Sequence, residues 1–341
     1  MNKHLIKSVL LFVLAFIAFA CESEIERIQI QTPIERPAEY YENLRAFKRS
    51  KHQISCGWYK DWLAKGPCRA NYLDGLPDSL DLVFLGWGGW KNLTEAHMED
   101  LRTVQQQKGT RVLISFVIAD FNPEMLPGGK GSEVDKNEFW GWDDSDVVKQ
   151  EAAIRKFANA ICDSIDKYGY DGFDLDYEPH YGGSGVLASY PERMAILVEE
   201  LGKRIGPESG TGKLLVLDGE IMDPSVADRT AKYFDYFVEQ SYNAMSPSAL
   251  DSRFSGAKKG LFPAEKYVPA VNYEQWQTGG GYFSHPEYGT IPAILGFAYW
   301  NTVDGPKGGV GALNMENDFK QSDREYSLIR QAIQIMNPAK H

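Results

Sequence analysis

The chain has 341 residues, 43% of them hydrophobic and 13% aromatic, and a formal net charge of -11. That acidity argues against a nucleic-acid binder, whose phosphate contacts need clustered lysine and arginine. The length supports a large core and allows one barrel to fill a single domain.

Residues 1–20 read as an export signal: Lys3, His4 and Lys7 are followed by the apolar stretch Leu10 to Ala20, too short to span a membrane as a helix. Ala18-Phe19-Ala20 before Cys21 is similar to a bacterial lipoprotein box, with Ala18 where leucine is usual. Cys21 is then the acylated start of the mature chain, anchored to a membrane, and an outer-membrane lipoprotein facing the cell surface is expected. Ordinary cleavage with Cys21 incidental is the alternative. Residues 21–49, with Pro33 and Pro37, read as a polar tether, and residues 50–338 as one folded, monomeric domain.

From residue 50 onward strand-like and helix-like segments alternate. The predicted strands are Gln53–Tyr59, Leu80–Gly86, Arg111–Ala119, Tyr170–Glu178, Leu214–Gly219, Tyr236–Asn243, Tyr267–Asn272 and Leu295–Trp300. Thr94 caps a predicted helix that runs to about Gln107. Ile154, Phe157, Ala158, Ile161 and Ile165 trace one face of a long helix that Gly169 ends. Arg193 to Leu201 and Tyr326 to Met336 repeat that periodicity. Eight strands with crossover helices predict an α/β fold, a single (β/α)8 TIM barrel with some irregular crossovers such as Lys60–Ser79. An open doubly wound sheet would want a glycine-rich phosphate turn. Gly86-Trp87-Gly88-Gly89 lies in the right place, but its tryptophan and missing helix cap do not suit a phosphate cradle.

Among the cysteines, Cys56 and Cys68 form the one short pair available for a disulfide, and Cys162 lies on an apolar helix face. No cysteine or histidine pair has zinc spacing, so neither metal nor other cofactor is expected.

The run Asp171-Gly172-Phe173-Asp174-Leu175-Asp176-Tyr177-Glu178 is the most specific signal. In a strand, side chains two apart share a face, so Asp174, Asp176 and Glu178 crowd together roughly 6.5–7 Å apart. Like charges that close raise at least one pKa, which suits a proton donor working near neutral pH. Other strand ends add Trp87, Asp120, Asp218, Gln240, Tyr242, Asn243, Asn272 and Trp300. Such a ring of acids, amides and aromatics suits a carbohydrate cleft. Glu178, nearest the rim, is the candidate general acid. Asp176 lies beside it, badly placed to attack a sugar from the far face. A substrate that supplies its own nucleophile, a 2-acetamido group forming an oxazolinium ion, removes that difficulty. Asp176 would hold the acetamide N–H, and Gln240 and Tyr242 its oxygen.

The run resembles the strand-four signature DxxDxDxE of family 18 glycoside hydrolases at Asp171, Asp174, Asp176 and Glu178. The resemblance extends to Tyr242 and to Trp300, implying that the tyrosine polarises the acetamide and that the tryptophan floors the -1 subsite. Chitinases of the family commonly carry Ser-x-Gly-Gly on strand three and Met-x-Tyr-Asp on strand six. Here Ser115-Phe116-Val117-Ile118 and Gln240-Ser241-Tyr242-Asn243 stand instead. The latter looks like endo-β-N-acetylglucosaminidases, which cut between the two core GlcNAc residues of N-glycans. With the lipoprotein signal, the chain is most similar to the surface endoglycosidases of gut Bacteroidota. The implied partners are an N-glycan or glycoprotein and, through Cys21, a membrane. The rival readings are a glycan-binding lipoprotein without catalysis, against which Glu178 stands, and a chitinase. The loops Phe121–Asp143, with Trp140 and Trp142, and Gln277–His285 are candidates for gripping glycan antennae.

Overall fold

The computed structural model describes residues 36–276, 278–321 and 324–339. The export signal, Cys21 and the tether up to residue 35 lie outside the described residues. The stretch assigned to the tether is helical from Ala38: α1 (Ala38–Arg49) buries Tyr41 and Leu44 and precedes the first strand. Its other faces are polar, so composition alone reads as linker. Tyr40 Oη donates to Asp78 Oδ2 over 2.8 Å, and Lys48 Nζ donates to the Leu80 carbonyl over 2.6 Å, which fixes the helix on the domain.

Eight parallel strands close into a barrel. They are β1 (Ile54–Trp58), β2 (Leu82–Leu85), β3 (Arg111–Val117), β4 (Gly172–Tyr177), β5 (Leu214–Gly219), β6 (Tyr236–Glu239), β7 (Tyr267–Asn272) and, after a two-stranded hairpin of β8 (Tyr282–His285) and β9 (Gly289–Pro292), β10 (Gly309–Leu313). The first and last barrel strands pair, Ile54 opposite Gly309 and Gly57 opposite Ala312. Side chains alternate across the wall. Cys56, Trp58, Phe84, Leu113, Val216, Val238 and Val268 fill the lumen. Phe173, Leu175, Leu215, Leu217 and Phe237 face the outer layer of helices.

The predicted barrel stands, with one strand misplaced. Leu295–Trp300 is not the eighth strand; it falls in a short helix, Ala293–Tyr299, with Phe297 buried against the outer core. The eighth strand is β10, whose sequence GVGAL gives little β-branched signal. It must be small, because a Cβ on Gly309 would sit 2.0 Å from the Ile54 carbonyl oxygen. The Cys56–Cys68 disulfide does not form. Cys56 points into the lumen and both thiols are free.

Two elements aim the fourth strand. A long helix, Val147–Tyr168, is capped by the Asp146 carboxylate, which accepts from the Val148 and Lys149 N–H groups, and it stops at Gly169 with φ 76°. Its buried stripe of Ile154, Phe157, Ile161 and Ile165 seats it on the wall. Tyr170 Oη then donates to the Trp90 carbonyl over 2.9 Å as the chain enters β4.

Candidate active site

Strand alternation puts the outward Phe173, Leu175 and Tyr177 into packing and leaves Asp174, Asp176 and Glu178 on the inner face, rising toward the C-terminal rim. Parallel register sets Ser115 of β3 beside Asp174, and Asp218 of β5 beside Asp176. At the bottom of this column Asp174 is fully buried. Its Oδ2 accepts from the Trp58 indole N–H over 2.9 Å and from Ser115 Oγ over 2.8 Å. Burial raises its pKa to about 7, and those two donors hold it from going further.

Asp176 lies within hydrogen-bonding reach of both Glu178 and Asp218. Burial raises its pKa well above the ordinary carboxylate range, and the charges of Glu178 and Asp174 add to the rise. Asp218, 1% exposed, is raised in the same way, by burial and then by Asp176, Asp174 and Glu178. Asp174, Asp176 and Asp218 each keep one buried carboxyl oxygen, Oδ1, without a hydrogen-bond partner. Acids packed this closely, with no lysine or arginine paired to them among the described residues, favour sharing protons over full ionisation. Above them, Gln240 Nε2 donates to Glu178 Oε1 over 2.5 Å. Tyr242 is pushed well above the ordinary phenol range by burial and by the neighbouring acids, so it stays a neutral O–H donor.

These groups open into a cleft of about 490 Å³ that Asp176, Glu178, Asp218, Gln240 and Tyr242 line together with Trp58, Trp87 and the loop after β3. Trp87, 57% exposed and in the left-handed region at φ 51°, stands at the rim with Lys60 Nζ 5.5 Å from its ring centroid. The other carboxylates of the cleft, Asp120 and Glu124, are each paired with a lysine, Lys136 and Lys130. Two larger clefts lie elsewhere on the domain, and neither contains any of these acids.

The structure thus brings Asp174, Asp176, Glu178, Gln240, Tyr242 and Trp87 together and separates the remaining candidates. Asp171 sits at the opposite end of β4, where its Oδ2 accepts from the Val112 N–H and from Gln105 Nε2 and its Oδ1 faces Arg111. Its role there is to splice strands. Trp300 is buried beside Tyr267, with its indole N–H on Asp251, away from the cleft. Asn243 is exposed outside the cleft lining, and the Asn272 Oδ1 caps a turn by accepting from the Gln275 N–H. In the loop after β3, Trp140 and Trp142 are buried against Phe121, so they offer no stacking face, whereas Asn122, Pro123 and Lys130 do line the cleft.

Three residues of the site were not singled out from sequence. Asp218 stood among the strand ends, but only the β4–β5 register shows that it faces Asp176. Trp58 and Ser115 end and cross the column by lumen packing, for which a single sequence carries no signal.

Comparison with known proteins follows the same lines. Residues 21–335 match the family model described as "Glycoside hydrolase family 18, BT1044-like". Endo-β-N-acetylglucosaminidase F2 of Elizabethkingia meningoseptica is 27% identical over 315 residues, covering 87% of this chain and 85% of that protein. A selenomethionine-labelled glutamate-to-glutamine variant of BT1044 superposes with a TM-score of 0.78 at 30% identity, covering 91% of this chain and 97% of that one. The endo-β-N-acetylglucosaminidase of Cordyceps militaris has the same fold, with a TM-score of 0.66 at 22% identity over 90% of this chain and 98% of that one.

Proposed function

Because this chain belongs to glycoside hydrolase family 18, in its BT1044-like group, we propose that it hydrolyses the β-1,4 bond between the two core GlcNAc residues of N-glycans, with retention and with the substrate's acetamido group as nucleophile. The observation that carries the mechanism is the single-sided column: Asp176 wedged between Glu178 and Asp218, with Gln240 and Tyr242 above it. A column on one wall suits a reaction whose nucleophile arrives with the sugar. The acetamido oxygen attacks the anomeric carbon as the glycosidic C–O bond breaks, and Glu178 gives its proton to the leaving oxygen. The Asp176 carboxylate accepts from the acetamide N–H and steadies the positive charge that develops on the oxazolinium ring. The Tyr242 O–H donates to the acetamido oxygen. Glu178, now a carboxylate, takes a proton from the water that reopens the ring. Trp87 offers a flat face for a sugar at the rim.

An endoglycosidase reading over a chitinase reading is supported by the relative named F2 and by Gln240 in contact with Glu178. We also read Cys21 as the acylated N-terminus of an outer-membrane lipoprotein facing outward, on the basic, apolar and small-residue pattern of residues 1–20.

Mass spectrometry of glycans released from one high-mannose and one complex N-glycoprotein tests the activity, with Glu178→Gln alongside. Released glycans ending in one GlcNAc, with one GlcNAc left on the protein, are expected from the parent, and Glu178→Gln should bind glycan but release none. Glycan binding with no release by the parent would favour the binding lipoprotein.

A further inference from the structure

The barrel carries its charge unevenly. The loops that leave the C-terminal ends of the strands hold the acids of the cleft and also Glu220, Asp223 and Glu274. The turns that enter the strands at the opposite end are basic: Arg49 and Lys51 precede β1, Lys108 precedes β3, Lys213 β5, Lys232 β6 and Lys259 β7. Acids occur at this end too, but most are engaged. Asp78 pairs with Lys108, Asp81 with His52, Asp171 with Arg111 and Asp304 with Lys258. Asp235 accepts from the Leu215 N–H, and the exposed Glu208 and Glu265 form no ion pair among the described residues. By contrast Arg49, Lys51, Lys232 and Lys259 are exposed and form no ion pair among the described residues. A cleft of about 950 Å³, wide enough for a phosphate headgroup, opens at this face with Arg45, Arg49 and Lys51 on its wall.

This basic end is also where the polypeptide arrives. α1 is tied to it at both ends, by Tyr40 to Asp78 and by Lys48 to the Leu80 carbonyl, and its last residue leads into Lys51 and β1. Cations gathered at the entry side of an otherwise acidic chain match a surface dense in phosphate.

We propose that the N-terminal end of the barrel docks on an anionic lipid surface, with headgroup phosphates against Arg45, Arg49, Lys51, Lys232 and Lys259, and that this docking turns the glycan cleft away from the membrane. The orientation rests on the reading of Cys21 as an anchor; the affinity for headgroups does not. The contact is weak alone, because each cation at a charged headgroup layer strengthens binding by roughly fivefold. It acts on a chain already held close.

The test uses the mature chain with Cys21→Ser, so that no acyl chain contributes. It should co-sediment with vesicles containing phosphatidylglycerol at low salt, leave vesicles of pure phosphatidylcholine in solution, and release as salt screens the contact. Reversing Arg49, Lys51 and Lys259 to glutamate should lower partitioning by more than roughly 100-fold, since loss of the three cations alone takes about fivefold per site and the new carboxylates repel the surface. Glycan release in solution and thermal stability should not change. The corresponding triple glutamine variant should fall between the two, which separates charge from any loss of fold. Equal partitioning onto neutral and anionic vesicles, or no loss in the glutamate variant, would overturn the proposal. Mass analysis of Cys21 from cells tests the anchor separately: an unacylated Cys21 removes the anchor reading and leaves the vesicle result standing.

Discussion

Asp218 turns the acid pair of the site into a triad that shares protons, and its replacement separates hydrogen bonding from charge. Asparagine imitates the protonated carboxyl and keeps a donor toward Asp176. Asp218→Asn is therefore expected to stay within about tenfold of the parent in kcat/KM, equivalent to one pKa unit or about 1.4 kcal/mol. Asp218→Ala leaves Asp176 without that partner and should lose considerably more. An asparagine variant as impaired as the alanine one would show that Asp218 works as a charge. In the proposed mechanism Asp176→Asn removes the carboxylate that faces the developing cation, and roughly 10²–10³-fold of turnover should go with it. Steady-state kinetics on one defined glycopeptide measures both. The central acids were legible in the sequence because a strand forces period two on whatever faces the lumen. Asp171 carried the same motif yet precedes β4 at its entry end, where it accepts from the Val112 N–H and from Gln105, because the motif is longer than the stretch of strand that reaches the rim.

At the scale of elements, seven barrel strands were readable because their outward faces are rich in Val, Ile, Leu and Phe. The eighth was not, since β10 is made of residues chosen for smallness. The run Leu295–Trp300 imitated a strand because a buried short helix presents the same apolar density. The same limit explains Trp300, which was placed at a strand end that does not exist. Close approach also governs β4. Gly172 has φ 156°, and a Cβ there would lie 2.1 Å from the Leu214 carbonyl oxygen of β5. Gly172→Ala must push the two central strands apart, at a cost on the order of 3 kcal/mol. A fall in Tm of about 5 °C is expected, and calorimetry that found the variant within a degree of the parent would contradict this account of the strand contact.

For the whole molecule, the buried ionisable groups set how stability follows pH. Glu316, just after β10, is buried with neither carboxyl oxygen hydrogen-bonded, and burial raises its pKa to about 7. A carboxyl raised in the folded state favours folding while it stays protonated, and that contribution is lost as pH rises from its unfolded value toward about 7. Asp174, also raised to about 7, acts in the same direction. Glu316→Gln should therefore match the parent near pH 4 and exceed it by a few degrees in Tm near pH 8, from roughly 2–3 kcal/mol of relieved ionisation. A Tm difference that stays constant with pH would show that Glu316 ionises freely in the fold. The charge separation between the two barrel ends belongs to this scale as well. It is absent from the net charge of the sequence and arises only when the topology sends every strand-leaving loop one way and every strand-entering turn the other.

The pairing of β1 with β10 has a consequence in time. Asn337 reinforces that seam, its side chain bonding both the N–H and the carbonyl of Gln53. The barrel therefore closes between segments near opposite ends of the chain, a contact of very high sequence separation that makes the conformational search slow. Until Gly309–Leu313 arrives, the edges of β1 and β7 stay open and hungry for any other strand. A nascent chain built this way cannot commit early to its final form. That delay is a hazard in a crowded compartment, and it becomes an advantage under the proposed reading of residues 1–20, in which the polypeptide crosses a bilayer unfolded before it closes.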